Sequence, residues 1–428
     1  MSSFKWFGRI STVCLLLLGL PVSAQQRPLA FVNARLLPIS SAPIEAGSLL
    51  IQDGKIRAIG RDIAIPANAE RRDMAGAVIM PGLVDTHSHI GQVAGADGSA
   101  AIQPDVRALD SINVRHAGIG KARAGGVTTA NVMPGSGHLL SGQTLYLKLR
   151  HANTIEDLSI RLPDDSIAGG IKMANGTNPM RGDPGFPGTR GKSAAMLRSA
   201  LLAGQEYCSK PPKVRDLGKE GLCDILQGRR VVHFHSHRHD DIITVLRLAR
   251  EFKLRVVIQH GTDAYLVAEE IAAAGVPVSA IVLDSPGGKL EVMNFSMQSG
   301  AILERHGILT AFHTDDPITD SRLLLRSAAL AVRNGMSREG ALRALTLNAA
   351  RMLDLEQRIG SLEVGKDADL LVLDGDPLSV YSKVQQTWVE GQLLFDRKRP
   401  ADVLLAEGGW GGGHDKVAND VIMMEGGE

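Results

Sequence analysis

The sequence has few cysteines and few aromatic residues, and its positive and negative charges nearly cancel. Only three cysteines occur in 428 residues, so neither a cysteine-rich metal cluster nor a dense disulfide framework is expected. Lys and Arg number 47 against 46 Asp and Glu, which gives no reason to expect a nucleic acid or another polyanion as partner. Aromatic residues make up 4%, whereas small and β-branched residues are plentiful, as suits a tightly packed barrel core.

Residues 1–24 have the pattern of a secretory signal peptide. Lys5 and Arg9 form a basic start, an apolar run follows up to Leu20, and small residues precede Gln25. The apolar run is too short for a comfortable membrane span. We therefore expect export to the periplasm or the extracellular space, with no stable membrane insertion once the peptide is removed.

Export changes the interpretation of the two cysteines that remain, Cys208 and Cys223. In an oxidising compartment a disulfide between them would stabilise the fold by about 3 kcal/mol through loop entropy. The alternative is a pair of buried free thiols. The sequence leaves both open.

The two ends of the mature chain contain short strand-like runs separated by turns. "GSLLIQDGKIRAIG" has Asp53-Gly54 between two alternating apolar runs, a hairpin signal, and "TWVEGQLLFD" turns at Glu390-Gly391 in the same way. We predict that residues 25–78 and 360–398 together build one small β-sandwich domain.

The middle of the chain, residues 79–359, alternates apolar strand-like runs with helical periodicity. The eight strand candidates are "AVIMPGLVDTH", "GVTTANVM", "TLYLKL", "IAGGIKM", "RVVHFH", "RVVIQH", "VPVSAIV" and "ILTAFHT". Near-continuous apolar runs are typical of parallel strands that are covered on both faces, and eight such units predict an α/β fold, a (β/α)₈ TIM-like barrel. The second and third runs, however, lie too close together for a full helix between them.

Two segments interrupt or follow this alternation. Residues 175–230 are rich in Gly, Pro and charge, and we predict a long insertion after a strand, where barrel enzymes shape their pockets. Residues 399–428 contain a Gly-rich stretch with poor core-forming composition, which predicts a flexible tail.

Polar side chains recur at the carboxyl ends of the predicted barrel strands, where barrel enzymes place their active sites. They are His87, His89, Lys172, His235, His260 and Asp315. Since alternate residues of a strand share a face, His87 and His89 can point toward one centre. A single strand-end histidine is more often structural, and an isolated lysine usually reaches to solvent. The combination is hard to explain by packing, and imidazole and carboxylate groups suit Zn²⁺ or a related divalent ion.

At this point the sequence resembles the amidohydrolase superfamily, and most closely its imidazolonepropionase-like branch of metal-dependent hydrolases. The motifs that carry the resemblance are "VIMPGLVDTHSHI", "HSHRHDDI", "QHGTDAY", "HTDDP" and "IGSLEVGKDADLLVLDGDPL", spread over about residues 28–396. The family fold is a (β/α)₈ barrel with a small β domain made from both termini, in agreement with the reading from the residues.

The resemblance also implies roles for the strand-end residues. His87, His89, His235 and His260 correspond to metal ligands, and Asp315 to a ligand that also shuttles the proton. Lys172 falls where two-metal members carry a carboxylated lysine that bridges the ions. With Lys172 unmodified, a single-metal site with His260 in contact with substrate is the alternative.

The implied activity is hydrolysis of a C–N bond in an amide, cyclic amide or dipeptide by metal-activated water, with Asp315 and His260 as catalytic residues. His237, Arg181 and Arg190 are candidates for binding a small molecule or short peptide. A deaminase or an ester or lactone hydrolase on the same scaffold stays open, as does an exported metal-binding protein without catalysis. A homo-oligomer is compatible with the sequence.

Overall fold

The computed structural model describes residues 27–92, 97–210, 214–283 and 288–409. The predicted signal peptide, residues 1–24, lies outside these ranges. Within them, no helix combines the length and apolar character that crossing a bilayer requires.

Five strands come first in the described part of the chain, joined by tight turns or by longer connections. They are β1 (Leu29–Leu36), β2 (Ile44–Gln52), β3 (Lys55–Gly60), β4 (Glu70–Asp73) and β5 (Val78–Pro81). The β2–β3 hairpin turns at Asp53 and Gly54, whose φ angles of 51° and 72° are those of a type I′ turn. The hairpin predicted from the Asp-Gly dipeptide is therefore present.

Nine strands follow in the middle of the chain. They are β6 (Leu83–Ser88), β7 (Val127–Val132), β8 (Leu140–Gln143), β9 (Leu145–Lys148), β10 (Ile171–Ala174), β11 (Val232–Ser236), β12 (Val256–His260), β13 (Val278–Ile281) and β14 (Thr310–His313). Every residue of β6, β7 and β10 to β14 is buried, as the apolar runs predict.

Helices alternate with these strands. They are α1 (Ala117–Ala124), α2 (Ile155–Leu158), α3 (Arg190–Ser209), α4 (Leu217–Leu226), α5 (His239–Phe252), α6 (Ala268–Ala274), α7 (Ser299–Arg305), α8 (Leu324–Arg333), α9 (Arg338–Ala344), α10 (Leu347–Met352) and α11 (Pro400–Glu407). Three further strands, β15 (Leu370–Leu373), β16 (Val384–Val389) and β17 (Gln392–Asp396), precede α11.

The strands from the two ends of the chain share one mixed sheet. Its order is β17-β16-β15-β5-β1-β2-β3, with β4 paired to β1. The junction between the two ends is β5, which is parallel to β1 and antiparallel to β15. Because these described strands form a single hydrogen-bonded path, the predicted β-sandwich is not confirmed.

The middle strands form a TIM-barrel-like arrangement from two sheets. One has the order β14-β13-β12-β11-β10-β8 and the other the order β6-β7-β9. The amide of Asp315, just after β14, donates to the carbonyl of His87 in β6 at 2.9 Å, so the two sheets meet beside the strand ends. A continuous closed barrel is not seen among the described strands.

The third predicted strand does not run parallel to its neighbours. Its residues form β9, which is antiparallel to β7, and the preceding β8, outside the predicted run, is antiparallel to β10. Residues 133–144, which separate β7 from β9, contain β8 and no helix, so they do not form the helical crossover that a parallel neighbour requires. The chain therefore reverses direction at this point.

Both irregular segments contain more helix than their composition predicts. Residues 175–230 include α3 and α4, which a disulfide between Cys208 and Cys223 joins with the Cα atoms 5.7 Å apart. The predicted flexible tail, residues 399–428, begins with α11, whose Leu405 lies against Gly120 of α1. Residues 410–428 lie outside the described ranges.

Candidate metal centre

Asp315 and the two histidines of the His-x-His motif meet at one point. The Nε2 atoms of His87 and His89 lie 3.1 and 2.9 Å from Oδ1 of Asp315. The other ring nitrogen of His89 is 2.8 Å from the carbonyl oxygen of Met133, which orients the ring. The alternation of side chains along β6 thus brings both imidazoles to the carboxylate that follows β14.

Three further histidines gather beside this group. They are His235 at the end of β11, His237 just beyond it, and His260 at the end of β12. Their candidate ligand atoms lie within 4.8 Å of one another, and all three side chains are buried. Both ring nitrogens of His235 and the Nε2 atoms of His237 and His260 have no hydrogen-bond partner among the residues that the structure describes.

Two residues of the site have backbone conformations that L-amino acids seldom adopt. The φ angle is 71° at His260 and 51° at Asp315, both in the left-handed region. Such conformations cost on the order of 1–3 kcal/mol and cluster at functional sites. The backbone at the ends of β12 and β14 therefore adopts unfavourable conformations that direct the side chains of His260 and Asp315 into the site.

Lys172 of β10 lies at the base of the same cluster and is fully buried. Its Nζ atom is 3.0 Å from Nε2 of His87 and 3.2 Å from the sulfur of Met133. Burial lowers the pKa of Lys172 to about 7, since no carboxylate contacts its amine among the described residues. A large share of the amine is therefore neutral at physiological pH.

The protonation states suit a metal. Burial lowers the pKa of His235 and His260 well below the usual value and that of His237 to about 3, so these rings are neutral. Burial acts to raise the pKa of Asp315, but His87 and His89 outweigh it and hold that pKa well below its usual range. The site thus presents neutral imidazoles beside an ionised carboxylate.

The geometry also fits a divalent ion. Two ligands that each lie about 2.1 Å from one ion are roughly 3–3.5 Å apart, and the two histidine–Asp315 separations of 3.1 and 2.9 Å are close to this range. Buried nitrogens without a partner are rare in proteins because each costs free energy. The unpartnered nitrogens of His235, His237 and His260 are what a cation site would leave in the metal-free protein.

The pocket above these groups has a volume of about 230 Å³. It is lined by His89, Gly135, Ser136, His235, His237, His260, Ile281, Leu283, Gly288, Lys289, Val292, Asp315, Pro317 and Ile318. Lys289 is the one Lys or Arg side chain among these described lining residues, and the sequence analysis did not single it out.

The two arginines expected to contact substrate are used elsewhere. Arg190 forms ion pairs with Asp241 at 2.9 Å and with Glu291 at 2.8 Å. Arg181 donates to the carbonyl of Gly137 at 2.6 Å and stacks on the ring of Phe186. Neither lines the pocket, whereas His237, the third expected contact, does.

His313 is a site residue that the sequence analysis missed. It ends β14 and is fully buried, with Nε2 3.2 Å from Nδ1 of His260. A signal was present, because "HTD" places His313 and Asp315 two residues apart, as "HSH" places His87 and His89. The same period-2 argument would have assigned His313 to the face that carries Asp315.

Comparison with known proteins gives three results. The Amidohydrolase family model matches residues 229–395. The solved structure of an amidohydrolase from Thermotoga maritima MSB8 is 34% identical, with a TM-score of 0.81, and covers 86% of this chain and 100% of that one. Imidazolonepropionase from Pseudomonas aeruginosa (strain UCBPP-PA14) is 26% identical over 386 residues, covering 77% of this chain and 88% of that protein.

One relative is much longer than the region it shares with this chain. Amidohydrolase tasK of Hapsidospora irregularis is 27% identical over 391 residues, which cover 82% of this chain but 40% of that protein. The chain thus spans less than half of this relative's length.

Proposed function

The chain belongs to the amidohydrolase superfamily, in its imidazolonepropionase-like branch, and from this premise we propose that it hydrolyses a C–N bond of an amide, a cyclic amide or a short peptide at a divalent metal centre. The carrying observation is that Asp315 lies within 3.1 Å of both His87 and His89 beside three more buried histidines. The family uses a divalent metal, and the donor set of imidazoles and a carboxylate favours zinc.

A bound divalent ion would supply a water ligand of lowered pKa and would polarise the substrate carbonyl. His87, His89, His235, His260 and Asp315 would hold it. Asp315 is ionised, so it can accept a proton from water and return it to the departing nitrogen as that bond breaks. His260 lines the same pocket, and its Nε2, without a partner among the described residues, would serve as its ligand atom.

Lys172 supports a centre with two ions. Formation of a carbamate needs a neutral amine, and burial lowers the pKa of Lys172 to about 7. The Nζ atom lies 3.0 Å from His87, so a carboxylate built onto it would reach the ligands. We therefore propose a carboxylated Lys172 that bridges two ions, with one ion and an unmodified lysine as the alternative.

Lys289 points to the substrate class. Its charge acts on His235 and His237, helping to lower the pKa of both, and it lines the pocket together with the apolar Val292. Glu291 lies two residues after Lys289 in the chain and is buried. Its Oε1 atom accepts hydrogen bonds from Arg190 at 2.8 Å and from the amide of Thr177 at 2.7 Å. This anchoring fixes the segment that carries Lys289, so we propose a substrate with a carboxylate near the scissile bond.

The test is amine release by the zinc-loaded protein from a panel of dipeptides, N-acyl amino acids and lactams, each paired with its carboxamide. Asp315→Asn should lower kcat by about 10²–10⁴-fold while zinc binding and fold are largely kept, since general acid–base catalysis contributes that much. Asp62→Asn, at an exposed carboxylate, is the control. The carboxylate of each pair should be preferred, and Lys289→Met should abolish the preference.

Other outcomes would overturn these assignments. Turnover by Asp315→Asn at the wild-type rate would remove the proton-transfer role. Release of ammonia from amino-substituted rings would make the protein a deaminase, and cleavage of esters alone would make it an ester hydrolase. Tight zinc binding without turnover on any member would leave a metal-binding protein.

We also propose that the protein is exported. The supporting features are the basic and apolar leader at residues 1–24 and the disulfide between Cys208 and Cys223, because such bonds persist mainly in oxidising compartments. Fractionation of the source cells with an antibody against the chain would test this, and recovery in the cytosol alone would contradict it.

A further inference from the structure

Four buried polar side chains form a continuous hydrogen-bonded row beneath the metal centre. Thr86 Oγ1 lies 2.5 Å from Ser279 Oγ, which lies 2.8 Å from Nδ1 of His313. Nε2 of His313 then lies 3.2 Å from Nδ1 of His260. The four residues come from β6, β13, β14 and β12, and each is at most 2% exposed.

The row can have only two directions, because of two ring nitrogens 3.2 Å apart one must donate and the other accept. Nε2 of His260 is buried without a partner among the described residues, and His260 lines the pocket, so a cation held there needs the lone pair of His260 on Nε2 and its proton on Nδ1. With that proton donated to Nε2 of His313, the N–H of His313 lies on Nδ1 and donates to the hydroxyl oxygen of Ser279.

In this direction Nε2 of His313 accepts from Nδ1 of His260, and the lone pair of His260 is left on Nε2. That atom is buried with no partner in the described part of the chain, and His260 lines the pocket together with His235 and His237. The carboxylate of Asp315 does not compete, because its Oδ2 is 3.9 Å from Nδ1 of His260, beyond hydrogen-bonding distance.

We propose that Thr86, Ser279 and His313 form a positioning relay that fixes the tautomer of His260, so that its Nε2 is presented to the pocket as a metal ligand. The reverse direction would place an N–H at the pocket and repel a cation. The inference rests on the metal-holding role of His260 under the proposed function, but on no turnover. His313, with both nitrogens engaged, is a positioning residue and not a ligand.

Ser279→Ala decides the question, because it removes the acceptor at Nδ1 of His313 without touching a ligand atom. Zinc affinity, measured by competition with a chelator, should fall about 10–100-fold, the usual effect of removing the partner of a ligating histidine. Ser279→Thr retains the hydroxyl and should restore affinity. Ser327→Ala, at a buried serine of α8, is the matched control for packing.

A second measurement needs no variant. In ¹⁵N-histidine spectra of the metal-free wild type, His260 should carry its proton on Nδ1, with His260→Gln used to assign the signal. A proton on Nε2, or wild-type zinc affinity in folded Ser279→Ala, would overturn the relay. Zinc binding that depends on Ser279 without hydrolysis of any substrate would instead reject the proposed function and leave the relay standing.

Discussion

Two lysines, each buried in a strand of the barrel, have opposite surroundings. Lys148 of β9 is 1% exposed, and its amine contacts Asp367 at 2.8 Å and Asp369 at 2.5 Å. Lys172 of β10 is fully buried, and its amine contacts a histidine nitrogen and a sulfur. A buried lysine amine that is paired with carboxylates helps to hold the fold together. A buried amine without a carboxylate partner indicates instead a site where the protein binds a metal or ligand.

The partners of Lys148 show what the first arrangement does. Asp367 and Asp369 lie just before β15, in the terminal sheet, and Asp367 also pairs with Lys55 and Arg358. Arg150, two residues beyond Lys148, pairs with Glu390 between β16 and β17 at 2.6 Å. These ion pairs join the barrel to the sheet built from both chain ends, far along the sequence from β9.

The largest effect should come from removing these two amines in turn. Lys148→Met takes from buried Asp369 the amine it pairs with and from Asp367 one of its three cations, and the free energy of unfolding should fall by about 3–5 kcal/mol. Lys172→Met removes a buried amine that contacts no carboxylate among the described residues, so the metal-free protein should be as stable as wild type or more so. Urea denaturation of both variants measures the difference.

Zinc content per chain should rank the two lysine variants in the opposite order from their stability. Lys148→Met should keep the zinc of wild type, whereas Lys172→Met should fall from two equivalents to one or none if Lys172 bridges two ions. One equivalent in both wild type and Lys172→Met would make the centre mononuclear. If the two lysine variants lost equal free energy of unfolding, burial alone would explain both losses, and the proposed difference between the two lysines would be wrong.

The disulfide is a third feature whose removal, like that of the Lys148 amine, should lower stability and leave zinc binding unchanged. Cys208 and Cys223 are 15 residues apart, and a loop of that size predicts a loss of about 3 kcal/mol when both become serine. Neither cysteine lines the pocket, so zinc affinity should stay unchanged. Wild type in reducing buffer should match the double variant, and a loss of zinc in either would contradict the separation of the two roles.

The site was partly predictable because strand geometry is local. His87 and His89 share a face by period-2 alternation, and polar residues at the ends of apolar runs mark the active-site edge of a barrel-like fold, so the residues that meet there could be named from the sequence. The family prediction is confirmed. Contacts that depend on distant elements could not be read in this way. Arg190 pairs with Asp241 and Glu291, 51 and 101 residues away, and no periodicity reports such partners.

Two further differences concern β9 and His313. The antiparallel direction of β9 follows from the short connection after β7, whose length is visible in the sequence although eight parallel strands were predicted. His313 shares a face with Asp315 by the same spacing, but its hydrogen bonds to Ser279 and His260, on two other strands, are visible only in the tertiary structure. The sequence thus predicts which face a side chain shares, while the tertiary structure decides whether its hydrogen bonds are met.

The smallest predicted effect is on the pH dependence of the free energy of unfolding, which should distinguish the histidine cluster from the ion pairs around Lys148. Burial lowers the pKa of His237 from 6.5 to about 3, so between these values the unfolded chain binds a proton that the native metal-free protein does not. Stability therefore falls as the pH drops from about 6.5 toward 3, by up to about 1.4 kcal/mol per pH unit for each such histidine. In urea denaturation from pH 6.5 to 4, His237→Gln should lower this slope by nearly that amount, whereas His306→Gln, at an exposed histidine, should not. If both variants kept the wild-type slope, His237 would be protonated in the native protein, and it could not belong to a neutral ligand cluster that differs in kind from the ion pairs around Lys148.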